Sequence, residues 1–359
     1  MTSAIGFYQM REEQGFTQLV DEYLAYTKRQ EDLDAAAKAL RAKFWAMQAP
    51  LGAVNVGDFS FYDNAWDLLN LLGAKGSQQM ACSGVKSYYQ AVTQQNAHFA
   101  KHRWLDSEFF VIKPEFNEAA EYELNTRELF AHYHEARALG HKVKFSIMGL
   151  FSTLFFAGLD EDSEKKEFKK FKNSYFNFIN ELVRLEKGVE VDFNELAFSA
   201  AQDDKMTQTI GCTLGIPAVE CVYDRFERRG IRVWVSSFEY DVYLLDILMR
   251  TAASGVGFDA NKTPPNELLE RLGKSGKSLK LGIIDLARLD GAAMDEKIAL
   301  LRHYLKFIPK EKLILSLSNR MMQTNFAYIK AHSDFTAYDE FAQTKINELV
   351  ELDRAFEGL

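Results

Sequence analysis

Short runs rich in β-branched and aromatic residues alternate along this chain with long amphipathic segments, the pattern of repeated βα units around a parallel sheet. The strand candidates are Thr2–Phe7, Gly52–Phe59, Val143–Gly149, Val189–Phe193, Ile231–Val235, Val256–Phe258, Leu281–Ile284 and Leu313–Leu317. They make a set of eight if Phe109–Phe116 is an excursion outside the barrel. Between them, Phe16, Leu19, Val20, Tyr23 and Leu24 share one helical face, as do Leu33, Ala36, Ala37, Leu40, Phe44 and Met47. In the helix expected over 162–187, Phe168, Phe171, Tyr175, Phe178, Leu182 and Leu185 form one apolar stripe, which reads as core packing. Gly230 stands where a helix C-cap would precede a strand, and 335–356 reads as a helical segment that closes the barrel.

The expected architecture is therefore α/β, a single (β/α)8 TIM barrel over 1–359. A chain of 359 residues is long for one compact unit, but such barrels run from about 250 residues to beyond 400. No Gly- or Pro-rich linker divides it, and the Pro264-Pro265 pair lies in a short loop. Buried parallel strands are expected as near-continuous apolar runs; Leu313-Ile314-Leu315 fits and Arg232-Val233-Trp234 does not.

No window supplies the roughly 20 apolar residues of a membrane helix, and Met1–Tyr8 lacks the features of a secretory signal. Three scattered cysteines do not make a disulfide framework. A net charge of −8 disfavours nucleic acid. These readings point to a cytoplasmic protein with no membrane and no nucleic acid among its partners, and a small molecule as ligand.

In a barrel of this kind chemistry sits at the C-terminal ends of the strands. The polar residues there, Asp58, Asn194, Glu195, Ser236, Asp259 and Asn319 among them, include no His and no Cys. Asp58 and Glu195 could converge as a paired acid and base, or could belong to a network that orders the loops. Gly273–Ser278 superficially suggests a phosphate loop, but lacks the first glycine and leads into a strand rather than out of one. His132 and His134 are two apart on a helix and point in different directions, so they read as structural.

Leu40–Gln48, followed by Val56–Asp63, resembles the N-terminal, zinc-free barrel of the cobalamin-independent methionine synthase family. The resemblance continues through Arg103–Asp106 into Lys113–Phe116, and through Glu135–Gly140 before the strand ending at Gly149. It echoes again at Asn194-Glu195 and over Leu313–Asn319. It implies a barrel fold and a place in methionine biosynthesis. In the family two barrels face each other; the C-terminal one holds zinc and homocysteine, and a folate with a polyglutamate tail lies between them. Zinc there lowers the thiol pKa so that a thiolate attacks the methyl group.

Laid on the zinc-binding barrel, the family's His and Cys ligands fall on Trp234 and Ser236, its Glu near Asp259 and its last Cys on Asn319. That donor set is not a zinc site, so no metal is expected and no catalytic residue is assigned. The family's basic start is represented by Arg11, offset by Glu12 and Glu13, and its strand-end Asp is Asn194 here. The resemblance makes Asp58, Tyr62, Arg103, Trp104, Asn194, Glu195 and Asn319 the substrate-binding candidates. The expectation is a binding or accessory barrel in methyl transfer to homocysteine, not active alone. It would have no directly bound cofactor, methyl-tetrahydrofolate polyglutamate as ligand, and a separate zinc-bearing barrel as partner. The alternatives are an independent metal-free barrel using acid–base chemistry on a small organic acid, and a non-catalytic homologue.

Overall fold

The computed structural model describes residues 2–4, 14–61, 64–74, 99–104, 107–112, 121–157, 161–200, 216–227, 229–260, 262–286, 294–318, 331 and 333–359. Strand β1 (Thr2–Ser3) is followed by helices α1 (Gln14–Leu24) and α2 (Gln30–Gln48), then β2 (Val54–Val56) and α3 (Asn64–Leu72). A hairpin of β3 (Phe99–Trp104) and β4 (Ser107–Ile112) comes next, then α4 (Arg127–Ala138), β5 (Val143–Met148), α5 (Leu150–Ala157) and α6 (Glu161–Leu185). The chain continues through β6 (Glu190–Asn194), α7 (Ile216–Glu227), β7 (Arg232–Ser236), α8 (Val242–Arg250) and β8 (Gly255–Asp259). It ends with α9 (Asn266–Lys274), β9 (Ser278–Ile284), α10 (Met294–Tyr304), β10 (Leu313–Leu317) and α11 (Tyr338–Glu357).

Eight strands form one parallel sheet in the order β1-β10-β9-β8-β7-β6-β5-β2, curled as a TIM barrel with helices outside. Every expected strand is found, with bounds trimmed by local chemistry. The Gly52–Phe59 run shortens to Val54–Val56 because Gly52 (φ 89°) and Gly57 (φ 98°) turn the chain at either end. Of the Thr2–Phe7 run, Thr2–Ser3 is strand and residues 5–7 lie outside the described set. Of the Phe109–Phe116 segment, residues 109–112 lie in β4, which pairs antiparallel with β3 in a sheet of its own, and residues 113–116 lie outside the described set. Gly230 takes φ 78°, and Ile231 N–H returns to Phe226 O at 3.2 Å, closing α7 before β7.

One expectation is corrected in part. Leu313-Ile314-Leu315 is a continuous buried apolar run as expected, but β2, β5 and β6 alternate apolar and polar residues. Val54, Val56, Phe145, Ile147, Val191 and Phe193 face the helices, while Asn55, Lys144, Ser146, Asp192 and Asn194 lie between them in sequence and are buried too. The apolar half packs into an aromatic shell: Phe193 meets Phe226 at 4.9 Å and Tyr223 at 5.5 Å, and Tyr133 stacks on Phe145 at 5.7 Å. The α6 stripe joins it, with Phe168, Phe171, Tyr175, Phe178 and Leu182 buried and Leu185 half-buried.

Among the described residues β1 and β2 are the two ends of the sheet, and side chains bridge the seam between them. On the outside, α2 serves the free edge of β2: Trp45 Nε1–H donates to Asn55 O at 2.8 Å, and Gln48 Oε1 accepts from Asn55 N–H at 3.0 Å. On the inside, Lys144 Nζ donates to Ser3 Oγ at 2.7 Å and to Ala4 O. Buried peptide groups on an open edge need partners, and here α2 and Lys144 supply them. Among the described residues no helix is long and apolar enough to cross a membrane.

Candidate functional site

The inner faces of the strands build the site from the floor upward. On the floor, Asp192 of β6 accepts from Lys144 Nζ at 2.8 Å and from Lys280 Nζ at 2.7 Å, and Lys280 also reaches Glu190 at 3.0 Å. Lys280 Nζ lies 4.1 Å from the centre of the Trp234 ring. The two ammoniums and two carboxylates balance, which is what makes such burial tolerable. Burial would raise the Asp192 carboxyl, but Lys144 and Lys280 outweigh it and hold it below the usual carboxylate range. Burial lowers the Lys280 ammonium, with Asp192 opposing and Lys144 adding to the effect.

The Cα partners around the sheet, taken with the strand tilt that offsets neighbours by about one residue, stack the inward positions in layers of four from alternate strands. Lys144, Trp234, Lys280 and Ser3 form one layer; Asn55, Asp192, Gly257 and Ser316 lie above it. Small residues, Ser146, Ser236 and Gly282, come next. The rim holds Asn194, Asp259 and Ser318, with Asp58 following Gly57. Among these, Ser318 Oγ–H donates to Asp259, Asn194 Nδ2–H donates to Ser146 Oγ at 3.0 Å, and Ser236 Oγ lies 3.5 Å from Asp192 Oδ1.

Asp58 is buried at the end of β2, where its carbonyl accepts from Asn64 Nδ2 at 3.0 Å. The glycine before it is required: a Cβ at Gly57 would come within 2.8 Å of the Ile147 side chain. Asn194 sits on the rim as expected. Glu195 does something else. Its carboxylate accepts from Phe151 N–H (3.2 Å), Ser152 N–H (2.8 Å), Ser152 Oγ–H (2.6 Å) and the Tyr223 hydroxyl, holding the N-terminus of α5. Burial raises the Glu195 carboxyl despite those hydrogen bonds. Its contacts describe the loop-ordering network, not a partner for Asp58.

Arg103 and Trp104 lie on β3, paired in register with Glu108 and Ser107, on the hairpin outside the barrel sheet. Tyr62 and Asn319 fall outside the described residues. The Gly273–Ser278 run joins α9 to β9 at the bottom of the barrel, where Lys277 Nζ donates to Thr251 O and Ala253 O, both at 2.6 Å. Among the described residues no group of three or more His, Cys, Asp or Glu side chains could hold a metal ion. Ser316 is one of the strand-end polar residues the sequence shows, but the interior residues Asn55, Lys144, Asp192 and Lys280 were missed. The signal was present: each is the polar member of an apolar-polar alternation within a strand candidate or, for Lys280, beside one.

The family profile described as "Cobalamin-independent synthase, N-terminal domain" matches residues 1–308. The 5-methyltetrahydropteroyltriglutamate–homocysteine methyltransferase of Desulforamulus reducens is 22% identical over 366 residues, covering 99% of this chain and 47% of the relative. That of Listeria welshimeri is 24% identical over 372 residues, with the same coverage. The chain thus spans about half the length of these curated relatives. Among solved structures, a vitamin-B12-independent methionine synthase structure from Listeria monocytogenes aligns with a TM-score of 0.65 at 12% identity, over 99% of this chain and 96% of that one. A B12-independent methionine synthase from Shewanella sp. W3-18-1, in complex with selenomethionine, aligns with a TM-score of 0.60 at 15% identity, over 92% of both chains. At those identities the structural matches speak for the fold.

Proposed function

The chain belongs to the cobalamin-independent synthase N-terminal domain family, and from that premise we propose that it is a metal-free binding barrel for methyl transfer to homocysteine. In this reading the mouth holds a methyl-tetrahydrofolate with its polyglutamate tail, and a separate zinc-bearing barrel supplies the activated thiol. The folate ligand and the methyl acceptor are suggested by the names of the curated relatives, 5-methyltetrahydropteroyltriglutamate–homocysteine methyltransferases.

The observation that carries the reading is the pair Trp234 and Lys280. The family resemblance puts a zinc-ligating His at Trp234, and an indole has no lone pair to give a metal. The neighbour 4.1 Å from its ring is an ammonium, which repels a divalent cation. Ser236 is a weak neutral donor close to Asp192, and Asp259 is engaged by Ser318. These residues do not fit zinc. What the rim offers instead is hydrogen bonding: Asp58 and Asp259 accept from ligand N–H or O–H groups, and Asn194 both donates and accepts. Glu195 acts one step removed by keeping α5 in place beside them.

A second reading is favoured by a different observation. Two solved chains are covered over 92% and 96% of their length, so a chain of about this length forms the same fold without a second barrel in the same solved chain. In that reading the barrel acts alone, using a rim carboxylate as acid or base on a small organic acid. One experiment separates the two: titration with methyl-tetrahydrofolate triglutamate, with zinc content measured on the same sample. The first reading expects saturable binding with no stoichiometric zinc, and increased methionine formation when the chain is added to a zinc-bearing barrel. No folate binding, together with capture of an unrelated small acid from a metabolite extract, would establish the second.

A further inference from the structure

We draw no further inference here: the strongest candidate, the exposed basic face that Lys142, Lys187, Arg229 and Arg232 form on the turns leading into β5, β6 and β7, carries nothing, because cations at the C-terminal ends of helices are what the helix dipoles already favour and nothing in the structure shows what covers them.

Discussion

The same eight strands present two faces of opposite chemistry, and both faces are buried. Outside, Val, Ile, Leu and Phe meet the helices in an aromatic shell that could belong to many proteins of this architecture. Inside, where such barrels ordinarily stack bulky branched residues in layers, this one stacks Lys144, Asp192, Lys280, Asn55 and Ser316. The difference teaches which face holds the protein together and which gives it a use. Apolar packing is stabilising wherever it occurs, whereas a buried ion cluster at best offsets its own desolvation. The outer face therefore supplies the folding free energy, and the inner face draws on it.

Adjacent residues of β6 allow the sharpest test. Asp192→Asn would leave two buried ammoniums facing Glu190 alone, at an expected cost of about 3–5 kcal/mol at neutral pH. Phe193→Ala, one residue on and facing outward, should cost about as much, 3–5 kcal/mol, through a cavity against Tyr175, Tyr223 and Phe226. The pH dependence separates them. The folded-state pKa of Asp192 is below its unfolded value, so its contribution is present above the ordinary carboxylate range and is lost as pH falls through the folded pKa. Urea midpoints across acid pH should show the Asp192→Asn penalty shrinking while that of Phe193→Ala stays constant. Parallel pH profiles would show that the floor cluster does not stabilise the fold through its charges.

Smaller effects bear on how the faces are joined. Gly57→Ala forces a side chain into positive φ and onto Ile147, with an expected loss of about 1–3 kcal/mol and a displaced Asp58, visible as weaker rim-ligand binding beyond the loss of stability. Gln48→Leu removes the acceptor for the Asn55 amide, so its hydrogen exchange should accelerate with a cost of about 1–3 kcal/mol. Trp45→Phe keeps the ring but strands Asn55 O, and should cost about 1 kcal/mol at the lower end of the same range. If neither α2 variant changes exchange at Asn55, the side-chain seam is not what closes the barrel.

Much of this was legible before any coordinates. Leu313–Leu317 was found residue for residue, and α6 and α11 to within a few residues, because an apolar stripe needs only local spacing to be seen. The segment that carried the family resemblance most plainly, Leu40–Gln48 with Val56–Asp63, proves to be largely architecture: Trp45 and Gln48 seal the seam and Gly57 makes the turn. Asp58 and Asn194 were placed correctly at strand ends. Glu195 was placed at the right end of the right strand, but its bonds to Ser152 and Tyr223 span 43 and 28 residues of chain. No local pattern announces partners at that distance. The inner face was misjudged for a simpler reason: the strands were set against a rule of continuous apolar runs, which Arg232-Val233-Trp234 does not fit although the strand expected there is present.

By itself, then, the order of residues determined that this chain builds βα units, where the strands lie, and which family it resembles, because periodicity and short motifs are local properties. Only the folded barrel decided that Lys144, Asp192 and Lys280 share one floor, that Lys280 covers Trp234, and that Asn55 and Ser316 fall in one inward layer. Those residues come from strands as many as 261 positions apart (316 minus 55), and it is the closure and tilt of the sheet, not any feature of their neighbours in sequence, that brings them together.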